Sequence, residues 1–194
     1  MEGNGFTVTR LEVGMMENNC YLIRCHDTGE GIIVDPADEQ EKILQALKGI
    51  EAKYILLTHS HWDHIGALAG VKKATGARVG IHRLDAARVK EWVDFYLEDG
   101  DEISFGRHRA RIIHTPGHSP GGACILIGKY LLSGDTIFPG GPGNTSIPGS
   151  DFSLILRSIS EKIFALPAET IICPGHGRTA TVGEEMGTAP YRNI

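Results

Sequence analysis

Thr58-His59-Ser60-His61-Trp62-Asp63-His64 places three imidazoles and one carboxylate in seven residues, directly after the apolar run Tyr54-Ile55-Leu56-Leu57. In an extended segment alternate side chains share a face, so His59, His61 and Asp63 point to one side while His64, where a helix can begin, points elsewhere. That division suits two adjacent metal ions better than one, with His59 and His61 on the first and Asp63 and His64 on the second. Imidazole and carboxylate suit zinc, iron or manganese, and a hydrolytic site needs protein ligands plus a position left open for water. The plainer alternative is a solvated, His-rich turn, and four ligands at this spacing argue against it.

Working outward, residues 53–57 form the strand that delivers the cluster, so the cluster occupies the loop at that strand's C-terminal end, where open α/β sheets place their sites. Upstream, residues 6–13 and 20–24 read as a first hairpin and residues 31–34 as a buried strand stopped by Asp35-Pro36, since proline cannot donate to a ladder. Asp38 precedes Glu41 at capping-box spacing, and Ile43, Leu44, Leu47 and Ile50 share one helical face. Downstream, Ile65, Leu68 and Val71 keep helical spacing as far as Gly76, a C-cap. Residues 78–82 read as a strand and 84–92 as a helix. After the acidic turn Leu97-Glu98-Asp99-Gly100-Asp101 the pattern becomes strand and turn up to residue 138. A last helix covers 151–165, with Phe152, Ile155, Leu156, Ile159 and Ile163 on one face, and a final strand covers 170–173. The layout predicts an α/β protein with two sheets sandwiched between helices.

The chain has 194 residues, 41% hydrophobic and 22% charged, with a formal net charge of −5. That length suits one domain, residues 1–194, able to bury roughly 70% of its unfolded surface without disulfides. Mild acidity and the lack of a basic run argue against nucleic acid as a partner. Cys20, Cys25, Cys124 and Cys173 are scattered, with no C-x-x-C pair, and read as small buried hydrophobes in a reducing compartment. The first residues carry neither a basic segment nor an apolar stretch, and no run approaches bilayer length. These features predict a soluble, cytoplasmic protein with no membrane partner and a small-molecule substrate.

Three further turns end strands with a ligand type beside glycine: His114-Thr115-Pro116-Gly117-His118-Ser119-Pro120-Gly121-Gly122, Ser133-Gly134-Asp135-Thr136 and Pro174-Gly175-His176-Gly177. Glycine lets backbone approach closely, which a crowded metal site demands. Singly, each is an ordinary glycine turn. With the first cluster they complete a ligand set.

In this order the motifs resemble those of the metallo-β-lactamase superfamily, from the first strand to His176. The resemblance implies an αββα sandwich with a binuclear site along the sheet edges. It implies that His59, His61 and His118 bind one ion, that Asp63, His64 and His176 bind the other, and that Asp135 bridges them. The cofactors implied are two divalent metal ions, zinc foremost, with iron or manganese as alternatives. Zinc brings the pKa of bound water to about 7, so no separate protein base is needed. Asp63 is then a catalytic residue as well as a ligand, orienting the nucleophile and passing a proton to the leaving group. Asp35, Ser60 and Thr115 are candidates to fix imidazole tautomers. His26, His82 and His108 read as non-catalytic, and His114 as a neighbour of the ligand set.

Within the superfamily, Asp135 and His114-Thr115-Pro116-Gly117-His118 are most similar to the glyoxalase II branch, hydrolases of hydroxyacylglutathione thioesters, and in particular to its short bacterial members. Full-length glyoxalase II carries a helical C-terminal domain, whereas residues 178–194 alone follow the last motif. The loop after Phe138 also lacks that branch's Lys and Tyr pair, offering Gly140-Gly141-Pro142-Gly143-Asn144-Thr145 instead. The alternative is a mononuclear iron persulfide dioxygenase, which would use His59, His118 and Asp135 but usually shows Arg-Thr-Asp where this chain has Asn144-Thr145-Ser146. Lactonase or β-lactamase activity, and a metal-stabilised binding module without catalysis, rank lower. Structural zinc sites are closed and thiolate-rich, unlike this one. Trp62, Asn144 and Tyr191 are candidates to contact substrate, together with residues 84–97 and the Gly/Pro-rich loop 139–149. Trp62 sits at the mouth of the site or covers the neighbouring helix.

Overall fold

Alternation of side chains between two apolar layers along the central strands decides the layering. The computed structural model describes residues 1–188 and 191. Its first sheet has six strands in chain order: β1 (Phe6–Val13), β2 (Asn18–Cys25), β3 (Glu30–Val34), β4 (Glu51–Leu56), β5 (Arg78–His82) and β6 (Phe95–Leu97). The first two pairings are antiparallel and the next three parallel. The parallel pairings are made possible by crossover helices, α1 (Gln40–Ala46) between β3 and β4 and α2 (Leu68–Thr75) between β4 and β5.

The second sheet begins with the meander β7 (Glu102–Phe105), β8 (His108–His114), β9 (Ala123–Ile127) and β10 (Tyr130–Gly134). A small hairpin, β11 (Ile137–Phe138) and β12 (Gly141–Pro142), and the helix α3 (Phe152–Ser158) then lead to β13 (Ile171–Pro174), which lies parallel to β10. The edge strand β14 (Ala180–Thr181) and the short helix α4 (Val182–Met186) follow.

Tyr21, Ile23, Ile32, Val34 and Leu56 face Ile112, Ile125, Ile127, Leu132 and Cys173 across the inter-sheet core. The alternate residues Leu22, Ile33 and Ile55 face outward and are covered by Ile43 of α1 and by Leu68 and Val71 of α2. On the other side, Cys124, Leu131 and Ile172 are covered by Ile155, Ile159 and Ile163. The fold is therefore an αββα sandwich. All four cysteines are free and buried. Among the described residues no helix is long and apolar enough to cross a membrane.

Several local expectations change. Asp38 does not cap α1: its carboxylate accepts the Glu39 amide at 2.7 Å, and Glu39, at φ 48°, is the residue preceding the helix. Residues 83–88 form a 3-10 turn, opened by the His82 ring accepting the Leu84 amide, rather than a helix that continues to residue 92. The helix expected over 151–165 begins as predicted, with Asp151 accepting the Leu154 amide at 2.9 Å, but switches to a π turn at Ile159–Ile163. Strands β6 and β14 and helix α4 were not foreseen. They are two to five residues long and exist through edge pairing and a capping box at Thr181, too short for periodicity to register.

Candidate metal centre

Every ligand-bearing turn leaves the C-terminal end of a strand at one edge of the sandwich: β4 for His59 to His64, β8 for His118, β10 for Asp135 and β13 for His176. Backbone bonds stitch these turns together, within the second sheet and across to the first. Ala123 N donates to Thr58 O at 2.9 Å, Gly175 N to Gly134 O at 2.8 Å and Asn19 N to Gly175 O at 2.7 Å. Two glycines are required by this crowding. A Cβ on Gly175 would collide with the Asp135 carboxylate and lie 2.7 Å from His64 Cε1, and one on Gly117, at φ 141°, would strike the backbone of Ile155 in α3.

The seven side chains of the sequence-predicted set converge. His59, His61 and His118 bring one nitrogen each within 4.8 Å of one another, and Asp63, His64 and His176 do the same with their own ligand atoms. Asp135 lies between the groups: Oδ1 is 3.3 Å from His64 Nε2, and Oδ2 is 3.6 Å from His118 Nε2 and 3.8 Å from His176 Nε2. Asp63 Oδ2 is 3.4 Å from His176 Nε2 and 3.7 Å from His64 Nε2. His64 does not open a helix as the sequence pattern suggested; it closes the 3-10 turn Trp62–His64, and α2 starts only at Leu68. The tight turn is what swings Asp63 and His64 to the second group.

The outer ring nitrogens are held, which fixes the tautomers. His64 Nδ1 donates to Asp35 Oδ2 at 3.0 Å, His118 Nδ1 to Asn144 O at 2.8 Å and His176 Nδ1 to Met16 O at 2.9 Å. The Thr58 hydroxyl donates to Asp35 Oδ2 at 2.6 Å and so receives the His59 Nδ1 proton at 3.1 Å. Four Nε2 atoms are thereby turned inward. His61 is reversed, presenting Nδ1 at 2.9 Å from His118 Nε2. His59 Nε2, His64 Nε2 and Asp135 Oδ1 are buried without a hydrogen-bond partner. Orphaned buried groups are costly, and a cation among these donors satisfies them all. The donor set of imidazole and carboxylate without thiolate therefore fits divalent metal.

Electrostatics follow from the same crowding. Burial and then the neighbouring His64 and His118 hold His59 well below the usual imidazole range. Burial opposes charge on His64 too, but Asp135 and Asp35 outweigh it and push this imidazole up to about 10. His176 is raised by Asp63. Burial would raise the Asp63 carboxyl, yet His176, His64 and Asn18 hold it well below the usual carboxylate range.

These turns frame an open cavity of about 360 Å³, lined on the protein side by Trp62, Arg88, Asn144, Ile147 and Pro148 as well as the ligand types. An adjoining hollow of about 220 Å³ lies between Met15, Met16 and Trp62. Trp62, 66% exposed, thus stands at the mouth. A larger hollow, about 690 Å³, lies at the opposite end of β4 between α1 and α2 and is lined at the strand by Glu51 to Tyr54, away from this chemistry.

A model of the metallo-β-lactamase superfamily matches residues 13–176. The chain belongs to that superfamily. It is similar to the hydroxyacylglutathione hydrolase GloC of Haemophilus influenzae, 30% identical with 94% of this chain and 96% of the relative covered. It is similar in structure to the B3 metallo-β-lactamase BLEG-1, at 32% identity and a TM-score of 0.86 over 95% of this chain and 99% of that one. A third likeness is to TTHA1623 in a di-iron-bound form, at 34% identity and a TM-score of 0.82 over 95% and 100%.

In this superfamily member, Tyr191 departs from expectation. It does not line the cavity; it is buried behind the second sheet, ring to ring with Phe164 at 5.2 Å, in the apolar cluster that holds Ile155, Ile159 and Ile163. Asn144 lines the cavity and contributes its carbonyl to His118. Of the tautomer-fixing candidates, Asp35 touches His64 directly, whereas Thr115 bonds to Thr136 at 2.9 Å. Asp35 holds φ 48°, a left-handed conformation that aspartate tolerates better than most residues, and this turn aims its carboxylate at Thr58 and His64. His114 stacks on His82 at 4.0 Å and bonds Pro120 O, bracing the His118 turn. Sequence reasoning missed Asn18, whose amide donates to Asp63 Oδ2 at 3.1 Å, and the Met16 carbonyl. Backbone acceptors carry no residue-type signal.

Proposed function

We propose that the chain is a metal-dependent hydrolase that cleaves thioesters of the hydroxyacylglutathione type, or related esters, at a binuclear centre. One ion would be held by His59, His61 and His118 and the other by Asp63, His64 and His176, with Asp135 shared. The observation that carries this reading is the trio of buried, unpartnered inward atoms on His59, His64 and Asp135 at the junction of the two imidazole groups. Bound divalent metal, most suitably zinc, with iron or manganese as alternatives, would polarise the acyl carbonyl and acidify water. The similarity to GloC and to a di-iron protein supports the substrate class and the two-ion stoichiometry.

The chain's own residues would do the rest. His176 and Asn18 hold Asp63 Oδ2 in place and keep the carboxylate ionised, so it would orient the nucleophile by accepting its hydrogen bond and pass a proton on to the leaving thiol. Trp62, Ile147 and Pro148 form an apolar wall for the acyl group. Asn144 lines the same cavity, and its carbonyl holds His118. The active chain is expected to act on a small molecule in the cytoplasm.

The test is metal analysis of protein purified without added metal, beside assays of S-lactoylglutathione, a lactone, a chromogenic β-lactam and a glutathione persulfide with oxygen uptake. About two ions per chain with preferred thioester cleavage is the expected result. One iron per chain with oxygen consumption, or β-lactam turnover exceeding thioester turnover, would overturn it.

A further inference from the structure

The turn that carries His118, residues 115–122, is held from two directions. Its first half is tied to α3 and the residue that precedes it: the Ser158 hydroxyl donates to Pro116 O at 2.7 Å, and Asp151 N donates to Gly117 O at 2.7 Å. Its second half is tied to Asp85, on the 3-10 turn that follows β5. Asp85 Oδ2 accepts the Ser119 hydroxyl at 2.5 Å and Oδ1 accepts the Gly121 amide at 2.8 Å. His118 lies between the two anchorages. Gly121 permits the second of them, since a Cβ there would lie 2.8 Å from Asp85 N.

Asp85 is costly to place here. It is buried, it belongs to no ion pair among the described residues, and it does not line the cavity. A buried carboxylate is tolerated when hydrogen bonds replace its water, and both bonds go to one ligand-bearing turn. Those bonds also join the two sheets. Asp85 hangs from β5, the neighbour of β4, which delivers His59 and His61, whereas His118 comes from the second sheet, between β8 and β9. The stack of His82 on His114, 4.0 Å apart, fastens the bases of the same two segments. The group of Asp63, His64 and His176 is closed by other contacts, from Met16 O to His176 and from Asn19 N to Gly175 O.

We infer that Asp85 is a positioning residue for His118. By holding Ser119 and Gly121 it sets the approach of the His118 ring to His61, 2.9 Å between nitrogens, and through that approach the metal affinity of the group His59, His61 and His118. The inference rests on the metal-dependent reading above and adds to it a residue outside the ligand set.

The test titrates metal-free wild type and variants with zinc against a chromogenic chelator and resolves two constants; the one that His61→Ala abolishes belongs to the first group. Asp85→Ala should weaken that constant by about tenfold or more and leave the other within about threefold, the pattern of a lost outer contact at one group. Ser119→Ala, which removes one bond of the two, should fall between Asp85→Ala and wild type, and it carries the comparison if Asp85→Ala does not fold. Asp85→Asn should bind zinc like wild type, because its oxygen can accept the Gly121 amide while its NH2 donates to the Ser119 hydroxyl oxygen. That rescue separates positioning from charge. Spectra of 15N-histidine in the metal-free proteins give a readout without metal: the His118 Nδ1–H bonded to Asn144 O should be lost or averaged in Asp85→Ala and kept in Asp85→Asn. Equal weakening of both constants, equal weakening by Asn and Ala, or a lowered melting temperature with both constants unchanged overturns the inference. If wild type binds no zinc, the metal-dependent reading fails instead, and the histidine spectra decide on Asp85 alone: an unchanged His118 signal in Asp85→Ala refutes its role.

Discussion

Asp35→Asn isolates the contact that orients His64. Asp35 Oδ1 accepts the Thr58 amide at 2.8 Å, while Oδ2 accepts both the Thr58 hydroxyl and His64 Nδ1. A carboxamide has one acceptor oxygen where the carboxylate has two. With that oxygen on the Thr58 amide, the NH2 faces His64 Nδ1, and the ring accommodates it by moving its proton to Nε2, the atom turned toward Asp135. With the amide flipped, the NH2 meets the Thr58 N–H, and a buried donor goes unpaired at about 1–3 kcal/mol. Metal affinity at the group of Asp63, His64 and His176 should fall by about 10- to 100-fold, or roughly 1.4–2.8 kcal/mol, the range for losing an imidazole's orienting partner. The group of His59, His61 and His118 should lose less, since Asp35 reaches it only through the Thr58 hydroxyl. Competition with a chromogenic chelator resolves the two constants. If both stay within about threefold of wild type, Asp35 does not control the His64 tautomer and the reasoning fails.

Without metal, stability should be greatest near the ordinary imidazole pKa of about 6.5. The raised pKa values of His64 and His176 give stability that is full below that value and lost as pH climbs through the folded pKa, about 10 for His64. The lowered values of His59, Asp63 and Asp135 give stability that is lost as pH falls, first for the imidazole and then for the carboxylates. Urea midpoints of chelator-treated protein from pH 4 to 10 should trace this maximum, and metal-loaded protein should instead gain from pH 6 to 8; a midpoint still rising above neutrality in the chelated protein would contradict the assignment. Gly175→Ala drives a methyl group into Asp135 and His64, and should lower both metal content and the melting temperature, overpacking costing about 1–3 kcal/mol. Trp62→Ala opens both cavities at the mouth and should raise KM for apolar acyl groups more than it lowers kcat, with unfolding unchanged because the side chain is mostly exposed.

Sequence by itself determined the ligand types, their order and the two-sheet layering. Ligand chemistry is written in residue identity, and runs such as Tyr21 to Ile23 and Ile32 to Val34, apolar at every position, mark strands covered on both faces. Glycines at 117 and 175 announced close approach, and the collisions a Cβ would make there are what the signal meant. What only tertiary structure decided lies between elements far apart in the chain. That Met16 and Asn144 carbonyls hold His176 and His118, that Asn18 steadies Asp63, and that Asp85 is used up by the His118 turn all depend on how loops meet at the sheet edge. The same holds for Tyr191, a wall of the pocket by composition and a buried core residue by position. Its place is set by packing over long sequence separations, and neither periodicity nor residue type encodes which partner a side chain will find.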